Sequence, residues 1–170
     1  NLIKNKPGAS LIDLGTGSGI IAITLAAERP DTTVQAIDQS DEALNIAKQN
    51  AESHHINNIQ FSQSSWFKNI AANKFDLIIS NPPYIASNDP HLSQGDVRFE
   101  PNSALVAAEQ GLRDIKTICA QARDYLKADA TLLIEHGFDQ QDTAQAIFKS
   151  LNYQQITTHT DLSGNPRVTT

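Results

Sequence analysis

Methionine is absent from the 170 residues, cysteine and tryptophan occur once each, and aromatic residues make up only 6% of the chain. A single cysteine, Cys119, excludes any disulfide within the chain. Its apolar-periodic surroundings read as those of a small buried hydrophobe, which fits a reducing compartment, the cytoplasm. Basic excess is also missing: 13 Lys and Arg stand against 19 Asp and Glu, for a formal net charge of -6. Such a field repels a nucleic-acid backbone, so no direct nucleic-acid binding is expected. No run approaches the ~18 apolar residues of a membrane-spanning helix, and residues 1 to 10 lack the basic cap and apolar stretch of a signal peptide. His54, His55, His91 and His159 show no metal-ligand spacing, so no metal is expected. A chain that starts at Asn1 and contains no Met sets the expectation of a fragment with an upstream domain missing.

What is present is one domain's worth of chain, 1–170, with 39% hydrophobic residues and scattered Gly and Pro. Residues 9–14 read as a buried strand, 20–28 as a helix, and 32–38 as a second strand. Ser40 offers an N-cap to a helix ending near His54. Strands are expected at 58–62 and 75–80, a long polar loop from Asn81 to about Gln110, and a helix over 111–127. A strand at 130–135, a helix over 140–151 and strand-like runs at 153–160 and 166–170 follow. This alternation predicts a doubly wound α/β fold with a mostly parallel sheet covered by helices on both faces.

DLGTGSG at 13–19 falls where the first strand turns into the first helix, the ligand-binding edge of an open α/β sheet. Gly15, Gly17 and Gly19 let the backbone bend and approach a ligand. Their G-x-G-x-G spacing puts Ile20 where a dinucleotide fingerprint needs its third glycine, which disfavours a pyrophosphate cofactor. It agrees better with the nucleoside-methionine site of methyltransferases. There Asp13 faces the amino end and Asp38, at the end of the second strand, accepts from both ribose hydroxyls. The plainer alternatives are a ligand-free tight turn for the glycines and a helix-entry cap for Asp38.

NPPY at 81–84 directly follows the fourth strand. An amide or exocyclic amino nitrogen is a weak nucleophile because its lone pair is delocalised, and it needs fixed acceptors for its hydrogens. The Asn81 side-chain oxygen and the Pro82 carbonyl supply them. Pro82 and Pro83 stiffen the turn, and Tyr84 offers a flat wall to a planar group.

DLGTGSG, NPPYI at 81–85, GDVRFEP at 95–101, EHG at 135–137 and RVT at 167–169, in that order, resemble the HemK/PrmC release-factor glutamine methyltransferases over essentially the whole chain. DLGTGSG and NPPY are shared with other methyltransferases, while GDVRFEP and EHG are narrower. The resemblance implies a Rossmann-like, seven-stranded methyltransferase fold using S-adenosylmethionine and releasing S-adenosylhomocysteine. It implies methylation of the glutamine in the Gly-Gly-Gln loop of peptide chain release factors, the expected partners. Asp13, Gly15, Thr16, Gly17, Ser18, Gly19 and Asp38 then bind the cofactor, Trp66 lies against its adenine region, and Asn81 borders it. Asn81, Pro82, Pro83 and Tyr84 hold the substrate glutamine, with Asn81, Pro82 and Tyr84 as catalytic residues.

Trp66 also reads as plain core, GDVRFEP as a solvated charge cluster around Asp96, Arg98 and Glu100, and His136 as structural. Ser65 departs from the acidic residue that many methyltransferases place before their aromatic one. The family's N-terminal helical domain and its Pro-x-Pro-x-x-Glu segment are not in the chain. The rival functions are an adenine-N6 methyltransferase presenting NPPY to a flipped base, against which the acidic charge counts, and a non-catalytic cofactor-binding partner of the translation machinery.

Overall fold

The computed structural model describes residues 6–71, 73–84 and 108–170. The GDVRFEP segment and most of the expected long loop lie outside the described residues. The chain divides into two compact units, Asn1–Ser80 with Gln121–Leu133, and Asn81–Ala120 with Ile134–Thr170. A seven-stranded sheet runs in the order β3-β2-β1-β4-β5-β7-β6.

In the first unit, β1 (Ser10–Leu14), β2 (Thr33–Asp38), β3 (Ile59–Gln63) and β4 (Phe75–Ser80) alternate with α1 (Ile20–Glu28) and α2 (Asp41–Ser53). The pairings β1 with β2, β1 with β4, and β2 with β3 are all parallel. Alternate residues Leu11, Val34, Ala36, Leu77 and Ile79 share one face and pack with Ala22 and Ala26 of α1, forming a core cluster of fully or nearly fully buried side chains. α2 starts where a short oxygen side chain allows it to: the Ser40 hydroxyl accepts from the Ala43 amide at 3.2 Å, and Asp41 and Glu42 sit at the positive end of the helix dipole. In-register pairing sets Leu14 beside both Ile37 and Ser80. Gly15 and Asp38 are therefore each the next residue along the chain past one register line at the carboxyl ends of the strands.

The second unit holds α3 (Ala108–Gly111), most of α4 (Arg113–Ala122), α5 (Gln141–Ser150), β6 (Thr158–Thr160), β7 (Pro166–Thr169) and the end of β5 (Leu126–Glu135). β7 runs antiparallel to both β5 and β6.

Two expected elements are shorter than the sequence pattern indicates. The helix predicted over 111–127 stops at Ala122, and Leu126 already opens β5. Tyr125 is drawn out of the helix by tertiary contacts. Its ring stacks on Phe67 at 4.5 Å between centroids and its carbonyl accepts from the Phe75 amide. Lys127 then pairs with Asp76 of β4 at 2.6 Å. The strand-like run at 153–160 is extended only from Thr158, because Asn152 and Gln155 have positive φ angles of 58° and 55° and the Tyr153 ring turns in against Phe148.

Candidate active site

Two groups of residues carry chemistry, one in each unit. The first is the glycine turn after β1. The Thr16 amide donates to the Ile37 carbonyl and the Gly17 amide to Asp38 Oδ2 at 2.9 Å, so the turn is tied to the end of β2. Asp38 Oδ1 accepts from the Ser40 amide, also at 2.9 Å. The helix-entry cap is thus Ser40, and Asp38 braces both loops. Asn50 of α2 donates to the Ser18 carbonyl from the other side.

The three glycines have separate jobs. A Cβ on Gly15 (φ 71°) would stand 3.3 Å from the Trp66 ring, and one on Gly19 (φ 85°) would stand 3.0 Å from the Ala47 Cβ of α2. Gly17 faces open space. Trp66 is half-buried rather than core, held in a left-handed conformation (φ 49°) by Ser64. The Ser64 hydroxyl donates to the Trp66 carbonyl and accepts from the Asn69 amide. The turn therefore presents an indole edge beside Gly15 and an open backbone at Gly17.

Asp13 is 1% exposed. Its Oδ2 accepts from the Thr16 hydroxyl at 2.7 Å, while Oδ1 has no hydrogen-bond partner among the described residues. Burial pushes its pKa up to about 6; the Thr16 bond, and less strongly the Ala22 amide, oppose the rise without filling Oδ1's acceptor sites. A buried carboxylate oxygen left unpaired costs free energy unless a donor arrives from outside the chain.

The second group is NPPY. Ser80 ends β4 with its hydroxyl donating to the Leu14 carbonyl at 2.7 Å, and Asn81 follows it directly. Asn81 is exposed and its side chain makes no hydrogen bond to a described residue, while Pro82 is buried and Pro83 and Tyr84 half-buried. Tyr84 is gripped at both ends. Its hydroxyl donates to Glu135 Oε1 at 3.4 Å, a long bond, and its carbonyl accepts from Gln140 Nε2 at 3.0 Å. Gly111, at φ 83°, faces the same carbonyl, and a Cβ there would collide with it. Gly111→Ala is expected to cost roughly 1–3 kcal/mol of stability. Denaturant unfolding checks this, and an unchanged midpoint would mean that the carbonyl does not close against Gly111.

His136 is fully buried and is placed by hydrogen bonds rather than aimed at solvent. Its Nδ1 meets the Gly137 carbonyl at 2.9 Å, and a carbonyl only accepts, so Nδ1 carries the proton. Its Nε2 then accepts from the Thr169 hydroxyl, which accepts from Thr158, which accepts from the Gln145 amide. Burial holds the imidazole below its ordinary pKa, in agreement with this neutral tautomer. The EHG and RVT motifs therefore meet at His136 and Thr169, and Glu135 and Gly137 relay that anchor toward Tyr84. Burial raises the pKa of Glu135, opposed by the Tyr84 hydroxyl and by Arg167. Gln140 and Gly111 carry no motif and are missed by sequence reading; the one signal is a glutamine at a helix N-cap.

A family model, the methyltransferase small domain, matches residues 1–98 of the chain. The chain belongs to the methyltransferase small domain family. A release factor glutamine methyltransferase of Vibrio cholerae is 53% identical over 160 residues, covering 94% of this chain and 56% of that protein. One of Aliivibrio fischeri is 48% identical over 161 residues, covering 94% and 57%. The resemblance read from the motifs holds, and the chain spans a little over half the length of these relatives. Among solved structures, a methyltransferase from Pyrococcus furiosus superposes with a TM-score of 0.73 at 17% identity, covering 99% of this chain and 77% of that one. That likeness supports the methyltransferase small domain's Rossmann-like α/β fold. No helix among the described residues is long and apolar enough to cross a membrane.

Proposed function

We propose that the chain is the S-adenosylmethionine-dependent methyl-transfer domain of a release factor glutamine methyltransferase, acting in the cytoplasm on the side-chain amide nitrogen of the Gly-Gly-Gln glutamine. The observation that carries the reading is Asn81: exposed, hydrogen-bonded to no described residue, and set between the end of β4 and a Pro-Pro-Tyr turn clamped at Tyr84. The relatives' names supply the substrate class, and the net charge of -6 speaks against a nucleic-acid target.

The first unit fits the cofactor. Asp13 Oδ1 lacks a partner and suits the ligand's ammonium, Gly17 leaves room beside the backbone, Asp38 retains lone pairs for the ribose hydroxyls, and Trp66 offers its ring edge to the adenine. When bound, S-adenosylmethionine supplies a methyl group on a sulfonium that needs no metal to leave. Asn81 Oδ1 and the Pro82 carbonyl accept the two amide N–H bonds of the glutamine and align its nitrogen, which sheds one of those protons to solvent once it is methylated. Tyr84 holds the amide plane. Positioning of this kind contributes at most on the order of 7–11 kcal/mol. Labelled methyl is expected to pass to a release factor and not to the same factor with alanine for the Gly-Gly-Gln glutamine; equal labelling of both would rule out the assigned acceptor.

Asp13 adds a pH signature. Its folded pKa of about 6 lies above the unfolded value of 3.8, so its contribution to stability is present below pH ~4 and lost as pH rises through ~6. Comparing the ligand-free chain with Asp13→Asn cancels other groups, His136 included. The variant's relative stability is expected to improve between pH 4.5 and 7.5 by about 2 kcal/mol. Affinity for S-adenosylhomocysteine is expected to weaken about tenfold from pH 7 to pH 5 in the wild type and to stay flat in the variant. Parallel pH profiles in calorimetry would remove Asp13 from the ammonium site.

A further inference from the structure

We propose that Gln140 is a positioning residue of the methyl-transfer site, holding the Tyr84 carbonyl and through it the turn that carries Asn81. The inference rests on the methyl-transfer reading above and adds to it a residue outside every motif.

Gln140 is the N-cap of α5, yet its side chain makes no capping bond. Serine, threonine, aspartate and asparagine are preferred at that position because a short oxygen reaches the free amides of the first turn. Here the longer side chain turns away from its own helix. Its Oε1 accepts from the Gly137 amide at 2.8 Å and its Nε2 donates to the Tyr84 carbonyl at 3.0 Å. A primary amide accepts and donates from one rigid plane, whereas an ionised carboxylate only accepts. The other wall of the slot is Gly111, where a Cβ would also stand 2.8 Å from Gln140 Nε2.

The anchored end of the bridge is itself fixed. The Gly137 carbonyl accepts from His136 and so sets its tautomer, and the Thr169 hydroxyl holds the ring from its other nitrogen. At the other end, rings set φ at Pro82 and Pro83, so fixing the carbonyl of Tyr84 fixes the far end of a stiff segment. The near end is fixed by Ser80 on Leu14. Asn81 lies in a turn restrained on both sides, and Gln140 is the restraint that costs the chain a helix cap.

Three variants in the full chain test this. Gln140→Asp restores a preferred cap and removes the donor, so thermal stability is expected to hold or rise while kcat falls on the order of 10- to 100-fold. Gln140→Glu is expected to lose kcat at pH 8 and regain part of it as pH falls, when the protonated carboxyl donates to Tyr84 again. Cofactor Kd is expected to stay within about twofold in both, since the loss lies in orientation. With 3-fluorotyrosine at the three tyrosines, Gln140→Leu is expected to move the Tyr84 fluorine resonance and leave those of Tyr125 and Tyr153 in place. Loss of kcat in step with loss of stability in every variant, or an unmoved Tyr84 resonance, would overturn the proposal. A moved Tyr84 resonance in a chain that methylates no release factor would uphold the bridge and sink the methyl-transfer reading instead.

Discussion

Asn81→Ala is expected to lower turnover at least ~100-fold, about 2.7 kcal/mol of barrier, with little change in cofactor affinity. The side chain is exposed and unpaired with described residues, so its removal opens no cavity and breaks no structural bond. On the proposed reading, what goes is the acceptor for one amide hydrogen of the substrate, and with it the alignment of a nitrogen that has almost no nucleophilicity of its own. The fold and the glycine turn keep all their contacts. Single-turnover kinetics with S-adenosylhomocysteine binding measured in parallel separate the two effects. Equal losses of binding and rate would show that Asn81 holds the cofactor rather than the substrate.

Asp38→Ala is expected to do the reverse. Each carboxylate oxygen accepts one amide, from Gly17 and from Ser40, and each keeps a lone pair for a ribose hydroxyl. Alanine removes the observed brace together with the proposed ligand contacts. With charge-assisted bonds worth roughly 1.5–3 kcal/mol each, cofactor Kd is expected to rise ~100-fold or more. Turnover at saturating cofactor is expected to stay within a few-fold, because NPPY is held by other partners. Asp38→Asn, which keeps one acceptor, is expected to fall between. A variant that binds normally and is merely less stable would leave Asp38 as a loop brace alone.

Much of this site was legible in the sequence because its parts are local. A glycine turn between an apolar strand and an apolar helix, a serine before Asp41 and Glu42, and two prolines after FDLIIS each act through backbone geometry within a few residues. The α1 bounds and the β4 bounds follow directly from those patterns. What escaped depends on contacts across the chain. Tyr125 leaves a helical stretch because Phe67 and Phe75 compete for it. Trp66 takes a left-handed turn where the Ser64 hydroxyl bonds its carbonyl and the Asn69 amide. The tyrosine clamp unites positions 84, 111, 135 and 140, and no periodicity joins them. EHG and RVT stood out as motifs, but their job, anchoring Tyr84 through a neutral buried histidine, appears only when His136 and Thr169 are seen to meet.

Mass spectrometry of a release factor after incubation with the chain and S-adenosylmethionine, beside a duplex DNA control, tests the central claim most directly. One added methyl on the Gly-Gly-Gln glutamine, and none on the DNA, is the expected result. Methyl on DNA adenine with an unmodified release factor would contradict it.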